Sequence, residues 1–181
     1  MNKAELIEKI LRLDEEVYFS GVIPPGKRAS IVIVGASALL LCDLSYKQVT
    51  KDVDVLEVEN TIREFLVSDG DFNTHCSTFA RCLPYNYEDR LVKMELDTYI
   101  IDVFVPSIED ITVMKLYRWE KPDVVDLTSP EFLSQLNWDL LDHLITSDNE
   151  AIASRIAELT RDNEFKSMLF NYDEYKRTWK K

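Results

Sequence analysis

Ile31-Val32-Ile33-Val34-Gly35-Ala36-Ser37-Ala38-Leu39-Leu40-Leu41 is the stretch on which the fold turns. Four β-branched residues in succession read as a short strand buried on both faces, because neither face carries a polar side chain. Gly35 closes the run, and Ala36 to about Leu44 reads as a helix packed tightly against the strand. Small residues in the connecting turn let a phosphate approach the backbone, with helix-start N–H groups and the Ser37 hydroxyl as donors. The same small residues also serve plain helix–strand packing. Neither a Walker loop nor a dinucleotide fingerprint has this spacing.

On the N-terminal side, Leu6, Ile7, Ile10, Leu11, Leu13 and Val17 recur at three- and four-residue steps and predict an amphipathic helix over 4–19. Gly21 and the Pro24-Pro25-Gly26 cluster end it. On the C-terminal side, Val53, Val55 and Val58 mark a second strand over 51–58. Asn60 is expected to cap a helix through Val67, closed by Asp69-Gly70-Asp71. Residues 72–90 read as loop-rich with one short strand. Strands over 90–96 and 99–105 follow, joined as a hairpin by a tight Asp97-Thr98 turn. From Pro106 the pattern is helical. Ser107 and Asp110 form a capping box, and Pro130 opens a helix running to about Ile145. Two more helices are expected at 149–159 and 163–175. The fold class is therefore α/β (α+β): a small mixed sheet flanked by helices, with a C-terminal helical part. The expected organisation is 1–28, 29–127 and 128–181.

The chemistry centres on Asp52-Val53-Asp54. Side chains at i and i+2 share a strand face, so the two carboxylates stand together and repel unless a cation lies between them. Oxygen-rich pairs of this kind suit Mg²⁺, usually with substrate phosphates completing its shell. Asp102 is the candidate third carboxylate, flanked on its own face by Ile100 and Phe104, where an isolated charge is costly without a partner. The alternative for Asp102 is a strand-edge position reaching solvent or paired with an arginine.

With 33 acids, 21 bases and a net charge of −12, the chain is a poor candidate for coating nucleic acid. A bound divalent cation nevertheless inverts the local field of a carboxylate site, so a nucleotide stays compatible with that balance. Eleven acids against Lys115, Arg118 and Lys121 fall within 102–150, as on an exposed helical face. Neither a leader nor a membrane-spanning run is evident, and three cysteines suit a reducing compartment, so the expected location is cytoplasmic. His75-Cys76 and Cys82 lack zinc-site spacing, and His143 reads as a helix boundary residue. Trp119, Trp138, Tyr172, Tyr175 and Trp179 have the spacing of helix packing residues.

Gly35-Ala36-Ser37-Ala38-Leu39, Thr50-Lys51-Asp52-Val53-Asp54-Val55 and Asp102 together resemble the nucleotidyltransferase superfamily. The resemblance is closest to a bacterial and archaeal branch of small proteins related to minimal nucleotidyltransferases and to toxin–antitoxin and abortive-infection transferases. Tyr87-Glu88-Asp89-Arg90-Leu91 looks like that branch's Y-x-D-R-L segment. Pro106-Ser107-Ile108-Glu109-Asp110, Lys115-Leu116-Tyr117-Arg118 and Lys121 to Asp126 resemble its P-S-x-E-D, K-L-x-R and K-D-x-x-D stretches.

The resemblance implies a sheet of the nucleotidyltransferase type and transfer of a nucleoside monophosphate from an NTP to a hydroxyl acceptor on a protein, a tRNA or a small molecule. Asp52, Asp54 and Asp102 would be the metal-holding and catalytic carboxylates, with Asp52 and Asp54 holding Mg²⁺ on the triphosphate and Asp102 helping to position or deprotonate the attacking hydroxyl. Gly35, Ser37, Thr50, Lys115 and Arg118 would contact the nucleotide. The alternative is a catalytically silent binding protein of the same fold, such as an antitoxin-like partner.

Overall fold

Ala29–Ile33 forms strand β1, and its apolar run is buried on both faces: Ile31, Val32, Ile33 and Val34 are all nearly inaccessible. The computed structural model describes residues 1–46, 48–146 and 162–180. β1 is central in a five-stranded mixed sheet with β2 (Val53–Val58), β3 (Phe72–Asn73), β4 (Val92–Lys93) and β5 (Ile101–Val105), ordered β3-β2-β1-β5-β4. β2 runs antiparallel to β1 and β5 parallel to it. The β1–β2 register slips between Val32 and Ile33, where Glu57 and Val55 oppose consecutive residues and Leu56 is the extra one. Such a bulge re-aims the residues beyond it. Here those residues lead back to Asp54.

Helix α1 (Lys3–Ser20) starts on a capping box between Asn2 and Glu5 and ends at left-handed Gly21. Its face of Leu6, Ile10, Leu13 and Val17 is buried, and it packs on α2 (Gly35–Leu41) and α3 (Arg63–Asp69). Asp14 lies on that same buried face. Its carboxylate accepts hydrogen bonds from the backbone N–H groups of Tyr99, Ile100 and Ile101, at 2.6, 2.9 and 2.7 Å. This anchor explains why the expected tight hairpin does not form. With 99–101 bound to α1, β4 and β5 pair only at Val92–Val105 and Lys93–Phe104, plus one bond from Met94 to Val103. The helix expected from Asn60 begins instead at Arg63, since Asn60 belongs to a preceding turn.

The chain divides into two compact units, one made of 1–78 with 91–106 and the other of 79–90 with 107–181. The division after Pro106 falls inside the 29–127 segment read as one domain from sequence. The first unit holds the sheet. The second contains α4 (Ile108–Arg118), α5 (Lys121–Leu127), α6 (Pro130–Gln135), α7 (Trp138–Thr146) and α8 (Asp162–Trp179). The single helix expected over 130–145 is broken, because Asn137 caps a new one by accepting N–H bonds from Asp139 and Leu140. The helix expected at 149–159 lies outside the described residues. Tyr175 fills the centre of this unit, ringed by Trp119 and Trp138, with its hydroxyl donating to the Leu127 carbonyl at 2.7 Å. Of the expected core aromatics, Tyr172 and Tyr175 are buried, Trp119 and Trp138 are half-buried, and Trp179 is 38% exposed.

Candidate active site

Asp54 is the second residue of β2, immediately beside the end of β1, where Val34 N–H donates to the Asp54 carbonyl at 2.9 Å. As the spacing predicts, Val53 and Val55 are buried while Asp52 and Asp54 are only half-buried. The Asp54 carboxylate is held on both sides. Its Oδ1 accepts from Asn73 Nδ2 at 2.9 Å and from Cys76 Sγ at 3.3 Å. Its Oδ2 lies against Gly35, where an added Cβ would stand only 2.6 Å away. Gly35 also has a φ of +67°, which disfavours any side chain. Glycine at this turn therefore serves the close approach of a carboxylate.

Ser37 and Thr50 shape the same corner through their hydroxyls. Ser37 Oγ is fully buried, donates to the Val34 carbonyl at 2.9 Å and accepts from Asp54 N–H at 3.3 Å. Thr50 Oγ1 donates to the Asp52 carbonyl at 2.9 Å. Both were expected to meet nucleotide, but their hydrogens are directed at backbone that positions the two aspartates. The Asp52 carboxylate has no hydrogen-bond or ion-pair partner among the described residues. The Cys76 thiol records the local field: burial, then Asp54, then Asp52 push it up to about 12, so it stays protonated and donates. No sequence pattern ties Asn73 or Cys76 to Asp54, because their contact with it depends on β3 pairing parallel to β2, with Asp54 opposite Asn73.

Asp102 does not join this pair. It lies opposite Ser30 on β1, four residues back from Val34, which is about 13 Å along a strand at roughly 3.3 Å per residue. β5 and β2 also flank opposite sides of β1. Asp102 instead accepts from Arg28 Nε at 2.7 Å and pairs with Lys93 Nζ at 2.9 Å. Burial works against its charge, but the hydrogen bonds from Lys93 and Arg28 hold its pKa below the usual 3.8. Among the described residues, no group of three or more His, Cys, Asp or Glu side chains is arranged to hold a metal. The expected three-carboxylate cluster gives way to a pair.

Lys115 and Arg118 also differ from expectation. Lys115 is buried, with Nζ 3.1 Å from Asp123 Oδ1 and 2.9 Å from Asp126 Oδ2. Arg118 Nε donates to Asp123 Oδ2 at 2.6 Å. Arg90 adds a forked contact to fully buried Asp110, which also receives the Ser107 hydroxyl at 2.7 Å. Glu109 accepts the Asn137 N–H at 2.8 Å. Most charged positions in the three downstream stretches are thus engaged within the second unit, in an Arg90–Asp110 pair and a separate group of Lys115, Arg118, Asp123 and Asp126, and phosphate would have to compete with these contacts.

The two remaining carboxylates fit a divalent cation. Asp54 has one oxygen without a hydrogen bond among the described residues, Asp52 is unpartnered there, and hard anionic oxygens are the donors Mg²⁺ takes. No curated protein and no solved structure matches the chain. A family model described as a nucleotidyltransferase of unknown function (DUF6036) matches residues 8–180. With nearly the whole length matched, the chain belongs to this nucleotidyltransferase family, and its mixed sheet with flanking helices is the α/β fold of that type.

Proposed function

We propose that the protein transfers a nucleoside monophosphate from an NTP to a hydroxyl acceptor, with Asp52 and Asp54 holding Mg²⁺. The observation that carries this reading is the clamped Asp54 carboxylate beside an unpartnered Asp52 in a chain of this family. Two carboxylates at i and i+2 beside a tight turn repel when both face one site, and a bound cation offsets that repulsion. Mg²⁺ would supply neutralisation of the triphosphate when bound. The chain's own contribution is positioning: Gly35 admits Asp54, Ser37 fixes its peptide and Thr50 fixes that of Asp52. In the transfer, the acceptor hydroxyl oxygen bonds to the α-phosphorus as its proton passes to solvent, the bond from that phosphorus to the bridging oxygen breaks, and pyrophosphate leaves. The acceptor class is a protein side chain, a tRNA end or a small molecule, and the net charge of −12 makes a long RNA the poorest fit.

Thermal unfolding with Mg²⁺ and each common NTP tests this. A ligand selective for the native state at 100 times its Kd adds about 2.7 kcal/mol, so a clear rise in Tm is expected. Asp52→Asn with Asp54→Asn should remove the rise while the protein stays folded. A folded wild-type sample whose Tm responds to no NTP with metal would overturn the reading. Labelled NTP added to a lysate then identifies the acceptor.

A further inference from the structure

Asn73 and Cys76 surround Asp54 with more order than packing requires. Asn73 lies on β3 directly opposite Asp54, and its amide is engaged at both ends. Its Oδ1 accepts the His75 N–H at 3.2 Å, and its Nδ2 donates to Asp54 Oδ1 at 2.9 Å. A peptide N–H can only donate and a carboxylate can only accept, so this amide has one permitted orientation. Cys76 Sγ donates to the same Asp54 oxygen at 3.3 Å. On the other side, Oδ2 fits the space left by the missing Cβ of Gly35. Both donors fall on Oδ1, and Oδ2 keeps no hydrogen bond among the described residues.

We infer that Asn73 and Cys76 are positioning residues that lock the Asp54 carboxylate so that Oδ2 alone serves a divalent cation. The inference rests on the reading of Asp52 and Asp54 as the cation-holding pair. Outer partners of this kind fix a ligand's orientation before the metal arrives, and their loss typically weakens metal binding about 10–100-fold. Asn73 is the dominant of the two, since an amide N–H at 2.9 Å is a stronger donor than a thiol at 3.3 Å.

The test is Mn²⁺ alone, titrated into the full chain and followed by the electron paramagnetic resonance of the free ion. Wild type, Asp54→Asn, Asn73→Ala, Asn73→Ser, Cys76→Ala and Cys76→Ser are compared, each with its metal-free Tm as the control on folding. Asn73→Ser keeps an acceptor near His75 but is too short to serve Asp54, so it stands in if the alanine variant unfolds. Both Asn73 variants should weaken Mn²⁺ about tenfold or more. Cys76→Ala should weaken it less, and Cys76→Ser, whose hydroxyl still donates, should restore it. Asn73 and Cys76 variants indistinguishable from wild type, with Asp54→Asn impaired, would overturn the positioning role alone. Wild type that binds no better than Asp54→Asn would overturn the cation pair and the positioning role with it.

Discussion

At Gly35 two constraints meet in one residue: a left-handed backbone and an Asp54 oxygen where a Cβ would go. Gly35→Ala should therefore cost roughly 1–2 kcal/mol from the backbone alone, and more as Asp54 is displaced. The measurement is the urea midpoint together with the NTP-dependent Tm rise, both of which should fall. Asp102 predicts the opposite division. Asp102→Asn removes the ion pairs with Arg28 and Lys93 and should lower stability, yet leave the Mg²⁺–NTP rise in Tm in place, because Asp102 is far down β5 from Asp54. A third residue-scale expectation concerns the thiols. Cys42, Cys76 and Cys82 all have raised pKa values, burial first among the causes, so none is a thiolate near neutral pH. Iodoacetamide should label the native protein far more slowly than the urea-unfolded one.

At the scale of elements, α4 carries the strongest prediction. Lys115 neutralises Asp123 and Asp126 in a buried setting, so Lys115→Met leaves two carboxylates short of a partner. Breaking a buried pair by removing one partner costs about 3–5 kcal/mol, read as a drop in Tm and urea midpoint. If Lys115 acted chiefly on phosphate, the loss would appear in nucleotide binding with stability intact. The elements also differ in how far sequence exposes them. α1, β1, α2 and β2 follow from periodicity and small-residue turns, because burial repeats at the helical or strand spacing. The break between α6 and α7 was missed although Asn137 is a good N-cap, because the Pro130 start signal and the apolar residues beyond it read as one helix. The abbreviated β4–β5 hairpin had no local signal, since its cause is Asp14, far away in sequence.

Across the whole molecule, the charge of −12 resolves into sets with different physics. Asp102, Asp123 and Asp142 are paired carboxylates whose pKa values fall below 3.8; burial opposes their ionisation, and hydrogen bonds and charges from Lys93 with Arg28, Arg118 with Lys115, and Lys176 with Lys180 overcome it. A depressed folded pKa contributes stability that is present above the unfolded value and lost as pH falls through the folded one. Stability should therefore decline from about pH 5 downward, and Asp102→Asn should flatten part of that decline in a pH series of urea midpoints. Asp52 is a different case, an unpartnered acid among the described residues whose companion is expected from outside the chain.

Local pattern was enough for the buried β1, the turn at Gly35 and the alternation of buried Val53 and Val55 with half-buried Asp52 and Asp54, because alternation and apolar runs encode burial within a few residues. It was also enough for the family, whose motifs lie along the chain. Which charges meet was another matter. The apolar neighbours of Asp102 suggest a place in the site, but strand order and register put it beside Arg28 and Lys93 instead. The spacing of Lys115 and Arg118 suits phosphate, but helix packing gives Lys115 both Asp123 and Asp126, and Arg118 Asp123. Asn73 and Cys76 reached Asp54 only through the pairing of β3 with β2. An electrostatic or hydrogen-bond partner is a matter of distance in space, and strand register and helix packing, which sequence spacing does not reveal, set that distance.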